Sequence, residues 1–166
     1  FTSCVLYKYF VTILFFFSVV YNHLGTDAML YIDGVLAGTN NNFALDYTGS
    51  GKLVFGKAIP ANNNFFNGNL HDIRLWNKTR TMSDIVVTMN KELNRSQAGL
   101  LYNWKMNEAA GAFASDHIRN RNATITGATW EVNPNGNAAQ FDGVDDNIRI
   151  SSGNITINTE MDFTLE

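Results

Sequence analysis

The sequence predicts an all-β fold, an antiparallel β-sandwich carrying one short α-helix, and three observations lead there. Short runs rich in Val, Ile, Phe, Tyr and Thr recur along the chain, separated by Asp-Gly and Asn-rich breaks such as Asn40 to Asn42 and Asn62 to Asn64. A single stretch, Thr81 to Leu93, spaces its apolar residues as a helix does. Strands do not alternate with helices, so the rhythm of a parallel sheet is missing. Composition agrees: 16% of residues are charged and 13% aromatic, against roughly 25% charged in ordinary soluble domains.

Cys4 to Tyr21 is the most hydrophobic stretch, interrupted only by Lys8, Thr12 and Ser18. Three readings compete for it. A bilayer helix needs about 20 apolar residues, which this run barely reaches. A signal peptide needs a Met and basic residues ahead of its apolar run and a cleavage site behind it. Val, Ile, Phe and Tyr dominate and Ala, Glu and Gln are absent, which favours one or two core strands. Phe17, Val19 and Tyr21 then share one face, with Phe16, Ser18 and Val20 on the other. No membrane insertion is expected.

Met29 to Ile32 and Val35 to Ala37 flank Asp33-Gly34, a two-residue hairpin signal. Lys52 to Gly56 is a short strand. Asn67 to Trp76 reads as one longer strand, with Leu70, Asp72, Arg74 and Trp76 on one face and His71, Ile73 and Leu75 on the other. Asp72 and Arg74 would form an exposed pair worth only about 0–1 kcal/mol. Thr81 caps the helix with Asp84 near its positive end, and Met82, Ile85, Val86, Met89 and Leu93 form the apolar stripe. A polar connector, Asn94 to Ala98, follows. Strands resume at Leu100 to Trp104, Thr124 to Trp130, Ala138 to Phe141, Asn147 to Ile150 and Phe163 to Glu166.

Several of these stretches carry a family likeness. They are Phe17-Ser-Val-Val-Tyr21 with Leu30-Tyr-Ile-Asp-Gly34, and Phe66-Asn-Gly68 with Ile73-Arg-Leu-Trp76 and the helix behind it. After them come Leu100 to Gly111, Gly127-Ala-Thr-Trp130, Phe141-Asp-Gly-Val-Asp-Asp146 and Phe163-Thr-Leu-Glu166. In this order the sequence resembles the laminin-G-like, concanavalin A-like jelly-roll domains found in tandem in many secreted proteins. The first group resembles the family's late strands and trailing helix, the second its opening strands. The expectation is therefore two partial domains cut from a repeat array. Residues 1–95 form the C-terminal part of one laminin-G-like sandwich with its trailing helix (81–93), and residues 98–166 the truncated N-terminal part of a second. A permuted arrangement is the alternative, in which residues 100–166 complete residues 1–95, because open sheet edges seek partners. Phe15-Phe16 stands where the family usually has Trp-His, and residues 1–14 match poorly.

Candidate chemistry is sparse. Glu160-Met-Asp162-Phe-Thr-Leu-Glu166 resembles the catalytic strand of jelly-roll glycosidases, and alternation puts Glu160, Asp162, Thr164 and Glu166 on one face. Glu160 and Asp162 would lie about 7 Å apart along a strand, and a retaining pair needs about 5 Å. The plainer expectation is that Phe163 and Leu165 fill the core while the acids face water. Asp142, Asp145 and Asp146, and separately Asp116 with Asn107 and Glu108, offer the hard oxygens that calcium takes. The resemblance implies one calcium at a sandwich rim, whereas the local chemistry of Asp142 reads as a turn. His23, His71 and His117 stand at no motif spacing. Trp76, Trp104 and Trp130 read as core residues before sugar platforms.

A net charge of −3 with no Lys/Arg cluster gives no reason to expect nucleic acid. The single Cys4 excludes an internal disulfide and a Cys-based zinc site. The resemblance implies a non-catalytic binding or adhesion module, secreted or at the cell surface, next to other repeats of its own chain. Its ligand would be a carbohydrate or a cell-surface protein, with calcium as the one cofactor. A purely structural spacer is the alternative, and a glycoside hydrolase using Glu160 and Asp162 the remote one.

Overall fold

The computed structural model describes residues 15–43, 53–58, 64–93, 97–132, 136–150, 155 and 161–166. Asp33 and Gly34 take φ of 52° and 77°, the pair of positive values a two-residue hairpin demands. They join β2 (Asp27–Ile32) to β3 (Val35–Asn40). β1 (Phe17–Asn22) pairs antiparallel with β2, so the apolar N-terminal stretch is a strand from Phe17, and its part before Phe15 lies outside the described residues. No helix among the described residues is long and apolar enough to cross a membrane.

The expected single strand from Asn67 to Trp76 is instead two, β5 (Asn67–Leu70) and β6 (Ile73–Trp76). Asp72 between them sits at φ 55°, a left-handed conformation that Asp tolerates and that redirects the chain into another sheet. Leu70 consequently packs on the same core as Ile73 and Leu75 rather than sharing a face with Arg74. A two-residue strand, β4 (Val54–Phe55), precedes them.

The helix α1 (Met82–Thr88) opens with the expected cap. Thr81 Oγ1 accepts from Asp84 N at 3.2 Å, and the Asp84 carboxylate accepts from Thr81 N at 2.9 Å. It is shorter than the apolar stripe suggested, ending at Thr88 with Met89 as C-cap. Ile85 is its only buried residue, while Met82 and Val86 are 55% and 48% exposed. The helix touches the sheet through one turn, where Ile85 meets Val20 and Tyr31. Leu93 is buried beyond the helix, against Trp76 and Leu100.

Seven more strands follow: β7 (Leu100–Trp104), β8 (Phe113–Ala114), β9 (Ala123–Thr126), β10 (Thr129–Glu131), β11 (Ala138–Asp142), β12 (Asn147–Ile150) and β13 (Phe163–Leu165). The run expected from Thr124 to Trp130 is split at Gly127, φ 80°, which hands the chain from one sheet to the next. β8 has no signal of its own in the sequence.

Three antiparallel sheets result, ordered β3-β2-β1-β13-β6-β7, β10-β11-β5 and β4-β12-β9-β8. Each one mixes strands from both sides of residues 94–96. β13 lies between β1 and β6, with Val19 opposite Leu165 and Leu165 opposite Leu75. β11 pairs with β5, β12 with β4, and β7 with β6. Residues 97–166 thus fill the gaps left by residues 15–93, the pairing of a permuted sandwich. The main core lies between the large sheet and the two small ones: Ile73, Leu75, Tyr102 and Trp104 face Ile125, Phe141, Ile148 and Ile150. Burying each such side chain is worth about 1.5–3 kcal/mol. The other face of the large sheet is covered by α1.

Candidate binding face and acidic loop

The outer face of the four-stranded sheet is polar by simple alternation. β9 and β12 set Asn147 opposite Thr126, Ile148 opposite Ile125 and Arg149 opposite Thr124. The isoleucines point into the core, so their neighbours point away from it. Thr124, Thr126, Asn147 and Arg149, with Lys57 after β4, line a shallow depression of about 390 Å³. It joins two cations to three neutral hydrogen-bonding groups, and no acid lines it. Arg149 Nε is shielded and without a hydrogen-bond partner among the described residues. The alternation of Thr124, Ile125 and Thr126 was visible in the sequence. The approach of Lys57 was not, because it depends on β4 pairing with a strand nearly a hundred residues away.

Beside this face lies the acidic loop. Asp142, Asp145 and Asp146 bring ligand oxygens within 4.8 Å of one another, the only such group of three among the described residues. Asp142 Oδ1 accepts from Val144 N at 2.8 Å, the expected Asx turn, and Asp146 Oδ2 accepts from Asp142 N at 2.7 Å. Asp146 is buried, and Asp142 and Asp145 are exposed. A Cβ on Gly127 would run into the Asp146 carboxylate, so glycine there lets the β9–β10 turn close over the loop. An all-carboxylate donor set fits a hard divalent cation such as calcium, which also takes backbone carbonyls and water. The pull of the loop's own N–H groups leaves Asp145 as the least engaged of the three.

Asp116 does not join this group. It is 3% exposed, and its carboxylate accepts from four backbone N–H groups: Asn103 and Ile118 on Oδ1, Arg119 and Arg121 on Oδ2, at 2.8–3.1 Å. Its lone pairs are committed to a turn that it builds, so the structure gives it the role of an anchor.

The strand β13 divides the glycosidase-like motif. Glu160 lies outside the described residues. Asp162 Oδ1 accepts from His23 N at 2.8 Å. Phe163 and Leu165 pack on the main core as expected, but Glu166 does not face water. Its side chain is fully buried beneath α1, where it accepts from Trp76 Nε1 at 3.0 Å and pairs with Arg80. Arg74 Nη1 lies 3.8 Å away. Arg74 itself is buried and pairs with Asp72, which corrects the expectation of an exposed pair. The two arginines also serve α1: Arg74 donates to Thr88 O at 3.0 Å and Lys91 O at 2.7 Å, and Arg80 to Thr88 Oγ1 at 2.7 Å. Arg74 thereby satisfies the Thr88 carbonyl that the helix end leaves open. Burial pushes the Glu166 carboxyl above the ordinary Glu range despite Arg80, Trp76 and Arg74, and burial lowers Arg80 despite Glu166. For both partners the loss of water outweighs the attraction.

Trp76 and Trp104 are buried at 2% and 0% exposure, and Trp130 packs on the core and donates to Gly111 O at 2.7 Å. None of the three offers a bare sugar platform. The histidines enter no cluster of three metal-ligating groups among the described residues.

Residues 15–86 match the family model described as the concanavalin A-like lectin/glucanases superfamily, a laminin-G-like model that spans β1 to α1. No curated protein and no solved structure matches the chain.

Proposed function

We propose that this chain, whose residues 15–86 match a laminin-G-like, concanavalin A-like family model, is a non-catalytic binding module of an exported multidomain protein. Its fold is that of lectin-like binding modules, and the ligand proposed is a saccharide bearing carboxylate or sulfate groups. One observation carries this reading: the depression of Lys57, Thr124, Thr126, Asn147 and Arg149 offers two cations among neutral groups suited to hydroxyls. Arg presents a fork that matches a carboxylate or sulfate in two places. Calcium at Asp142, Asp145 and Asp146 would stiffen the neighbouring loop when bound. The engagement of Asp162 by His23 N and of Glu166 by Arg80 and Trp76 supports the absence of catalysis. In the proposed setting, residues 15–93 and 97–166 are parts of successive repeats at the cell surface or outside the cell.

A glycan array of neutral and acidic saccharides, run with calcium and with chelator, tests this. Binding confined to acidic glycans, lost in Arg149→Gln and Lys57→Gln, is the expected result. Binding to neutral glycans alone overturns the ligand class. Silence throughout overturns the binding role and favours a spacer repeat.

A further inference from the structure

Four Asn-x-Ser/Thr sequons occur, at Asn77, Asn94, Asn122 and Asn154. Asn94 and Asn154 lie outside the described residues, and the fold treats the other two very differently. Asn77-Lys78-Thr79 follows β6 directly. Its backbone is pinned, with Asn77 N donating to Gly99 O at 2.9 Å. The Asn77 side chain is exposed, and no hydrogen bond among the described residues engages it. Gly99, at φ 86°, keeps that corner clear, since a Cβ there would stand 3.2 Å from Asn77 Oδ1 and 3.0 Å from Lys78 Cδ.

Asn122-Ala123-Thr124 is engaged throughout. Asn122 Oδ1 accepts from Asp116 N at 3.2 Å, six residues away, inside the turn that the Asp116 carboxylate builds with Ile118, Arg119 and Arg121. Ala123 is fully buried, and Thr124 lines the polar depression. That turn joins near neighbours, which meet before distant strands do. The Asn77 corner is held by Gly99, from beyond α1, and by β7 and β13 alongside β6. It therefore stays open longer in a chain still being made.

We propose, resting on the exported setting above, that Asn77 is an N-glycan acceptor and takes the glycan in preference to Asn122. The donor class is a lipid-diphosphate oligosaccharide. Its bond from sugar C1 to the diphosphate oxygen breaks, and a bond from C1 to Asn77 Nδ2 forms. The lipid diphosphate leaves with the electron pair, and Nδ2 gives up one proton. The amide keeps its oxygen and one N–H, and the bulky product stays in water. This corner belongs to the large sheet, while the depression lies on the four-stranded sheet across the core, so glycan and ligand do not compete.

The full chain, sent behind a supplied leader into the secretory route of a eukaryotic cell, provides the test, and a missing glycan then cannot reflect a failure of export. Deglycosylation in heavy-oxygen water marks each former site. Peptide mass spectrometry reads occupancy in secreted and retained material alike. Asn77 occupancy at least several-fold above that of Asn122 is the expected result. Asn77 bare, or no fuller than Asn122, overturns the proposal. Thr79→Ala should empty Asn77 and Thr79→Ser should keep it filled, because the acceptor pattern takes either hydroxyl there. Equal occupancy in the two variants overturns the assignment as well. On the glycan array, Asn77→Gln should bind as the glycosylated chain does. Array silence with Asn77 filled would remove the binding role alone and leave the acceptor site standing.

Discussion

Trp76 Nε1 donates to the Glu166 carboxylate at 3.0 Å across 90 residues of sequence, and this bond sits at the floor of a charge cluster buried beneath a helix. Removing Glu166 leaves Arg74 and Arg80 shielded without their shared anion. Glu166→Ala is expected to cost about 3–5 kcal/mol, the range for breaking a buried pair from one side. Urea unfolding followed by tryptophan fluorescence measures it, and an effect below about 1 kcal/mol would mean the cluster is open to water.

The pH dependence has two arms of opposite sign. Glu166 is raised by burial, so its contribution is full below the ordinary Glu range and is lost as pH rises through its higher folded value. Asp84 is lowered, first by its bond from the Thr81 backbone. Its contribution is present above the ordinary Asp range and is lost as pH falls through its folded value. Stability should therefore peak in mild acid. Glu166→Gln is expected to flatten the upper arm and Asp84→Asn the lower, read from urea midpoints at several pH values.

Thr81→Ala should cost about 1 kcal/mol, the usual value of an N-cap, because α1 has one turn against the sheet and little else to hold it. Helix loss by circular dichroism without loss of the sheet signal would show α1 melting on its own.

The acidic loop and Asp116 separate cleanly. Asp116→Asn replaces one carboxylate oxygen by an amide NH2 and so strands two of the four backbone N–H groups; it should destabilise by about 3 kcal/mol while leaving any calcium response intact. Asp145→Asn should do the opposite. At a hundredfold excess over its dissociation constant, calcium would add about 2.7 kcal/mol, and that gain should vanish in the Asp145 variant by thermal unfolding.

Gly127→Ala forces a left-handed conformation on alanine and drives its Cβ into Asp146. The backbone part alone is worth about 1–2 kcal/mol. Both the melting temperature and the calcium response should fall, since the same turn covers the loop.

What the sequence revealed divides along chain distance. The Asp33-Gly34 hairpin and the Thr81–Asp84 cap depend on residues within a few positions, and both were legible. The break at Asp72 was not, because nothing in Leu-His-Asp-Ile announces a left-handed residue; the strand turns there to reach a partner, β11, that lies far along the chain. Glu166 misled for a related reason. On a lone strand its alternation with Leu165 means exposure, yet α1 covers that face of the sheet, and Arg80 and Trp76 come from ninety residues upstream. The polar depression was half legible, in the alternation around Ile125 and Ile148, and Lys57 could be added only by the sheet.

A chain made from its N-terminus inward meets a delay set by β13. The large sheet lacks a middle strand until residues 163–165 leave the ribosome, long after the strands on either side of the vacancy have emerged. Until then β1 and β6 have no strand to join them, and the large sheet is in two parts.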